Sequence, residues 1–255
     1  MGKIISIANQ KGGVGKTTTS VNLSSCLALA GKKVLLIDAD PQGNATSGVG
    51  GNKNIEKSTY DVIINGEDIK NVIQKCSVEN LDVRASNINL AGAEVQLVSQ
   101  LSREHKLKEA LDKVKDEYDY IIIDCPPSLG LVTLNALTAS NTVLVPIQCE
   151  YYALEGLGQL MSTIDLVQRH LNKDLDVEGV VLTMYDARTN LSMQVIEEVK
   201  KYVRDKVYQS VIPRNVKLSE APSFGLQIAL YDKNSKGAKA YSDLADEVIA
   251  KNEKE

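Results

Sequence analysis

The 255 residues are 43% hydrophobic and 24% charged, which fits one sizeable α/β domain with a full core of the kind ordinary in soluble globular proteins. There is no Trp and a single Phe, so the core must be built from Val, Ile, Leu and Ala, a composition that suits a buried parallel sheet. The net charge of −4 gives no hint of nucleic acid, and no apolar run approaches the ~18–20 residues that span a bilayer.

The chain opens with an apolar run, Ile4-Ile5-Ser6-Ile7-Ala8, read as a strand, and no secretory leader is expected ahead of it. Then come Gln10-Lys11-Gly12-Gly13-Val14-Gly15-Lys16-Thr17-Thr18 and a helical pattern from Thr18 to Ala30. Strand, glycine turn and helix in that order make a phosphate cradle. The glycines let backbone N–H groups turn inward, and the helix N-terminus adds positive potential. Lys16 can reach the β- and γ-phosphates, and the Thr17 hydroxyl can ligate Mg²⁺. The spacing departs from G-x-x-x-x-G-K-[ST] at one place: Gln10 stands where the first glycine would be, and a second lysine, Lys11, lies inside the loop.

Val34 to Asp38 reads as a second buried strand leading into the loop Ala39-Asp40-Pro41-Gln42-Gly43-Asn44. Thr59 to Asn65 and Asp68 to Gln74 suit short helices, Leu81 to Ala85 a strand, and Ser102 to Glu117 a helix with Leu107, Ala110, Leu111 and Val114 at helical spacing. Tyr120 to Asp124 is a clear strand that runs into Cys125-Pro126-Pro127. Further on, helices are expected at Leu131 to Ala139, Ala153 to His170, Leu191 to Lys206 and Lys236 to Ala250. Strands are expected at Thr142 to Ile147, Val177 to Met184 and Val207 to Ile212, with Pro213-Arg214-Asn215 a loop. Strands alternating with helices predict a doubly wound, mainly parallel twisted sheet flanked by helices, of P-loop NTPase type. No linker or repeat is evident, so residues 1–255 read as a single domain. The four cysteines (Cys26, Cys76, Cys125, Cys149) have no C-x-x-C spacing and read as buried reduced thiols, consistent with a cytoplasm; His105 and His170 read as surface residues.

In such sheets ligands bind at the carboxyl ends of the strands, where the glycine loop, Asp38, Asp40 and Asp124 all fall. Asp124, after three isoleucines, can hold Mg²⁺ directly or through water. Asp40, further into its loop, is the candidate for positioning or activating the attacking water. Asp38 is assigned a supporting place near the metal or a loop backbone.

Lys11 to Thr17 matches the deviant Walker A motif, K-G-G-x-x-K-[ST]. Val34 to Asn44 resembles the segment that carries the catalytic aspartate of that superfamily, and Ile121 to Pro127 resembles its Walker B. Nearly the whole chain resembles ParA/Soj-type chromosome-partitioning ATPases, most clearly at 38–47, 124–130, 148–156 and 212–222. The resemblance implies ATP and Mg²⁺ as ligands and Lys11 crossing a dimer interface to the partner's nucleotide. It further implies Pro213 and Asn215 at the adenine, and slow hydrolysis that weakens the dimer.

From Asp186 to Lys217 the chain holds seven basic and four acidic residues, +3 locally against −4 overall. A charge run of this kind is by itself a solvated face. The resemblance implies that the ATP dimer binds DNA without sequence preference through this region, with Arg188 and Lys217 the first candidates and Arg214 and Lys201 behind them. Such binding is salt-dependent. No helix-turn-helix precedes the first strand, so sequence specificity is expected from a ParB/Spo0J-type centromere-binding partner. The chain would then be cytoplasmic, and nucleoid-associated when ATP-bound. The main rival is a MinD-like membrane ATPase, which needs a basic amphipathic C-terminal helix; the tail from Ala245 to Glu255 is acidic and poor in large apolar residues, so no stable membrane insertion is expected. A second rival is an iron–sulfur reductase, which needs bridging cysteines at a dimer axis; Cys125, directly after Asp124, is a poor place for such a ligand. A third is a nucleotide-binding scaffold with little turnover, against which Asp40 and Lys11 argue.

Overall fold

The computed structural model describes residues 2–150 and 153–253; Tyr151 and Tyr152, inside the 148–156 stretch that carries family likeness, lie outside them. The first half of the chain runs β1 (Lys3–Ile7), α1 (Lys16–Leu29), β2 (Val34–Asp38), α2 (Asn44–Gly48), α3 (Thr59–Ile64), β3 (Ile73–Lys75), β4 (Leu81–Arg84), α4 (Ala93–Gln96), α5 (Lys106–Leu111) and β5 (Tyr120–Asp124). It continues through α6 (Leu131–Ala139), β6 (Thr142–Gln148), α7 (Ala153–His170), β7 (Asp176–Tyr185), α8 (Asn190–Val203), β8 (Val207–Pro213), α9 (Val216–Glu220), α10 (Ile228–Tyr231) and α11 (Lys236–Asn252).

Among the described residues the strands form one sheet in the order β3-β4-β2-β5-β1-β6-β7-β8, parallel throughout except for β3 at one edge. Strand alternation sends Leu35, Ile37, Ile121 and Ile123 to one face, where α5, α6, α7 and α8 cover them. Ile5, Ile7, Leu36 and Ile122 face the other way, against α1 and α11. Both faces are dry, so the strands can be continuous runs of Val, Ile and Leu, as a parallel sheet requires. The expected doubly wound architecture is the observed one.

Three local expectations are corrected. Asp68 to Gln74 is a single 3₁₀ turn, Ile69–Val72, followed by β3, because this stretch finds a sheet edge and pairs antiparallel with β4. Of the helix expected from Ser102 to Glu117, only Lys106–Leu111 is α-helical. The chain tightens to 3₁₀ at Lys115–Glu117, where the Lys115 carbonyl accepts the Gly2 N–H at 3.0 Å and ties the segment to the start of β1. Between Asn215 and Lys236, where no regular element was expected, lie α9 and α10. All four cysteines are free; Cys76 is half-buried rather than buried, and His105 is half-buried rather than exposed.

The sheet order sets the site. β1 is flanked by β5 and β6, and β5 by β1 and β2, so three carboxyl ends converge at the centre. In register, Asp124 stands beside Ile7 on one side and Asp38 on the other. Adjacent strands lie ~4.8 Å apart, so the phosphate-loop strand and both acidic strand ends are brought together by backbone pairing alone.

Candidate nucleotide site

The loop between β1 and α1 is held open by glycines where L-residues would strain. Gly13 and Gly15 have φ of 74° and 91°, in the left-handed region. Gly15 caps α1 without a side chain, which leaves the first-turn N–H groups facing the loop with no side-chain cap. Three polar contacts fix the loop from outside. Asn9 donates to the Pro146 carbonyl at 2.8 Å and accepts the Lys11 N–H at 3.0 Å, and the Thr183 hydroxyl at the end of β7 donates to the Val14 carbonyl at 2.8 Å. Gly12 has open space around its α-carbon.

Lys16 is buried, and its ammonium donates to the Lys11 carbonyl at 2.9 Å, arching over the loop. Burial lowers its pKa, opposed by the charges of Asp124 and Asp40 nearby. The Thr17 hydroxyl donates to Asp124 Oδ2 at 2.9 Å, and Ser20, one turn further along α1, donates to Oδ1 at 2.8 Å. Asp38 accepts the N–H and the hydroxyl of Thr46, each at 2.7 Å, and the Asp40 N–H at 3.1 Å. It is therefore the post to which the following loop is tied, the supporting place expected of it. Asp124 and Asp38 are fully buried, and burial, with their mutual repulsion at Asp124, pushes both carboxyls up from the ordinary range. Asp40 is half-buried, and one of its oxygens accepts the Gln42 N–H at 2.9 Å.

These are hard oxygen donors, a Thr hydroxyl and buried carboxylates, beside a buried lysine and a row of free N–H groups. The set fits Mg²⁺ with a polyphosphate. A cavity of about 430 Å³ adjoins the loop, lined among others by Gly15, Thr18, Thr183, Pro213 and Asn215. Its size suits a purine base. Asn215 also caps α9, its side-chain oxygen accepting the Lys217 N–H at 2.9 Å. Met184, at a left-handed φ of 51°, lies on the same wall at a bulge where β7 meets β8. Larger clefts of about 680 Å³ exist elsewhere, between Lys75 and Tyr118 and between α1 and α11, but they lack a glycine loop.

The residues proposed for DNA divide. Arg188 is 86% exposed and clasps Asp186 with two donors, at 2.9 and 2.7 Å. Arg214 sits near the same Asp186 and also lies 3.7 Å from Glu150, which is 3.8 Å from the Lys11 ammonium. Lys217 pairs with Glu220 at 3.3 Å and lies over the Tyr231 ring. Arg188 and Arg214 come from loops at the carboxyl ends of β7 and β8, and Lys217 from α9, which follows β8 directly. Lys201, paired with Glu198, is on the last turn of α8, ~16–20 Å away along that helix, at the opposite end of the sheet. It does not join the others.

The comparisons agree with this geometry. A family model described as an AAA domain matches residues 2–177. The chain is 66% identical over 251 residues to the sporulation initiation inhibitor protein Soj of Bacillus subtilis, covering 98% of this chain and 99% of that one. It is 53% identical over 250 residues to the chromosome partitioning protein ParA of Myxococcus xanthus, covering 98% and 88%. The chain belongs to the ParA/Soj family of chromosome-partitioning ATPases. Among solved structures, a cobyrinic acid a,c-diamide synthase from Mycobacterium smegmatis with bound ADP and magnesium has a TM-score of 0.86 at 38% identity, covering 98% of this chain and 94% of that one. MinD of Pyrococcus horikoshii, complexed with Mg-ADP, has a TM-score of 0.78 at 27% identity, covering 97% and 96%. One fold thus carries several named activities, and the high-identity relatives decide among them.

Four contributors to the site had no place in the sequence reading. Ser20 lies three residues after Thr17, so helical spacing alone puts both hydroxyls on Asp124. Thr183 and Met184 arrive through strand order, and Thr46 through a turn, with no local signal for either.

Proposed function

We propose that this chain binds ATP and Mg²⁺ and closes as a two-fold dimer around the nucleotides, which creates a surface that holds double-stranded DNA without sequence preference. It acts as one domain over residues 1–255. Thr17 and Asp124 would hold Mg²⁺, Asp124 through water, and the bound ion would supply positive charge against the phosphates. The N–H groups of 12–18 and the Lys16 ammonium hold the phosphates, and Pro213 and Asn215 border the base. Asp40 orients the attacking water. Phosphoryl transfer needs position and charge more than covalent chemistry, so the role of each group is to fix oxygens in place.

The observation that carries the dimer reading is the division of labour between the two lysines. Lys16 fills its own site and is anchored on the carbonyl of Lys11. The Lys11 side chain takes no part in that site; it is one-third exposed with a long ion pair to Glu150. An ammonium so placed can be given to a second copy's nucleotide. Arg188, Arg214 and Lys217 are the DNA contacts. Their acidic neighbours are exposed pairs worth little in water, so phosphates can replace them. A ParB/Spo0J-type partner stimulates hydrolysis and releases the dimer from the nucleoid. Among the described residues no helix is long and apolar enough to cross a membrane.

The test is a DNA shift assay with ADP, ATP and a slowly hydrolysed analogue at two salt concentrations. DNA retarded only with the triphosphates, and less at higher salt, is the expected result. Equal retardation with ADP, or none with any nucleotide, overturns the proposal.

A further inference from the structure

Helix α6 begins directly after the loop that leads away from Asp124, and its cap residue is Gly130, which has no side chain to satisfy the first N–H groups. Those groups are satisfied from elsewhere. The Glu94 carboxylate, in α4, accepts the Leu131 N–H at 2.8 Å and the Val132 N–H at 3.2 Å. The glycine is needed for this contact: a Cβ at 130 would stand 2.5–2.7 Å from the carboxylate. A carboxylate at a helix N-terminus also meets favourable potential.

We propose that Glu94 is a positioning residue for ATP hydrolysis, which fixes the far end of the 125–130 loop relative to Asp124; the inference rests on the ATPase reading of the site. The near end of the loop is already set by the sheet, since the Asp124 carbonyl accepts the Ala39 N–H at 3.0 Å and the Cys125 N–H donates to the Ile7 carbonyl at 3.2 Å. Within the loop, the Thr133 hydroxyl holds the Ser128 carbonyl at 2.6 Å, so loop and first helical turn move together. The body of α6 is seated by Val132, Ala136 and Leu137 in the core and by Asn135, which accepts the Leu107 N–H at 3.1 Å; Glu94 adds the contact at the helix's first residue, next to the loop. Its own segment is rooted in the core by Leu90, Ala93 and Leu97 and is joined to α3 by the Tyr60 hydroxyl on Gln96 at 2.8 Å.

A side-chain cap supplied by residue 130 itself would satisfy one first-turn N–H, that of Val132 or Thr133, and restore much of the helix's stability, but only a cap from a separate segment also ties the turn to α4. Nucleotide affinity is set mainly by the glycine loop, so loss of this tether should act on kcat rather than KM. Misplacement of a reacting arrangement by about 1 Å can cost up to about a hundredfold in rate.

The experiment compares wild type, Glu94→Ala and the double variant Glu94→Ala/Gly130→Ser in steady-state ATPase and thermal melts. Gly130 has φ of −80°, which serine adopts freely, and removal of the carboxylate clears the space its side chain needs. Glu94→Ala is expected to lower kcat about tenfold with KM for ATP within about twofold. In the double variant the serine caps α6, so the melting temperature recovers while kcat stays low. Recovery of kcat together with the melting temperature, or wild-type kcat in Glu94→Ala, overturns the inference. Should Glu94→Ala fail to fold, Glu94→Gln keeps one acceptor and is expected to lose part of kcat; wild-type kcat there is equally decisive against it. An inactive wild-type chain would sink the ATPase reading with it, whereas an active one with unaffected Glu94 variants sinks this inference alone.

Discussion

Lys11→Ala separates what the lysine does for its own fold from what it does for a second copy. Among the described residues its ammonium makes one ion pair, 3.8 Å from Glu150, with both side chains partly exposed. Such pairs contribute about 0–1 kcal/mol, which in a chain of 255 residues moves the melting temperature by at most about 4 °C. The groups that shape the loop survive the substitution, because Lys16 holds the Lys11 carbonyl and Asn9 holds its N–H, both backbone. Nucleotide binding to the single chain should therefore persist. Across a dimer interface the same ammonium would meet phosphate in a closed site. Removing one partner of a desolvated charge contact costs roughly 2–5 kcal/mol, and a two-fold dimer loses two such contacts, so dimer affinity should fall by at least about a thousandfold. Light scattering over a range of protein concentrations, with the slowly hydrolysed analogue present, reads this directly. Dimers at wild-type concentration would refute the trans role. A drop of about 10 °C in melting temperature would show instead that the lysine supports its own fold.

Asp40→Ala removes a carboxylate with one backbone hydrogen bond, at a stability cost of about 1 kcal/mol. The variant should bind ATP and dimerise but hydrolyse at least about a hundredfold more slowly, and wild-type phosphate release would take Asp40 out of the mechanism. Arg188→Glu places a second carboxylate beside Asp186 and should abolish nucleotide-dependent DNA shifts while leaving dimers intact. Lys201→Glu, at the other end of the sheet, should change DNA affinity by no more than about threefold, and equal losses in both would mean the surface extends along α8. Buried Asp38 and Asp124 have raised pKa values, so the folded chain keeps protons that the unfolded chain releases above ~pH 4, and their contribution to stability falls as pH rises. The nucleotide-free chain should therefore lose stability from pH 5 to pH 7 more steeply than Asp124→Asn does; a variant with an identical slope would discount the effect.

The sheet was legible because its signals are local. Tyr120 to Asp124 and Val34 to Asp38 are short apolar runs ending in an acid, and nothing else a chain of this composition can do buries them on both faces. The misreadings came where partners outside the segment decided. β3 has the residues of a short helix and became a strand because β4 offered it an edge. The stretch 112–117 has helical spacing but is pulled into a 3₁₀ turn by the start of β1. Propensity yields to tertiary contact in both places.

The site divides along the same line. The glycine loop, Lys16, Thr17 and Asp124 declare themselves, since each needs only its place in a strand–turn–helix unit. Lys11 declares itself as an anomaly, but its use depends on a second chain that one sequence does not describe. The residues with no local signal hold the visible ones still: Thr46 ties down Asp38, Thr183 braces the loop, and Glu94 holds the helix after Asp124. A sequence reading finds groups that could touch a phosphate, because that chemistry restricts residue type and spacing. It misses groups that touch only backbone, because any segment that folds to the right place can supply an oxygen. Under the proposed function the hydrolysis rate depends on how well the first set is held, and the Glu94 variants measure how much of that holding falls to the second set.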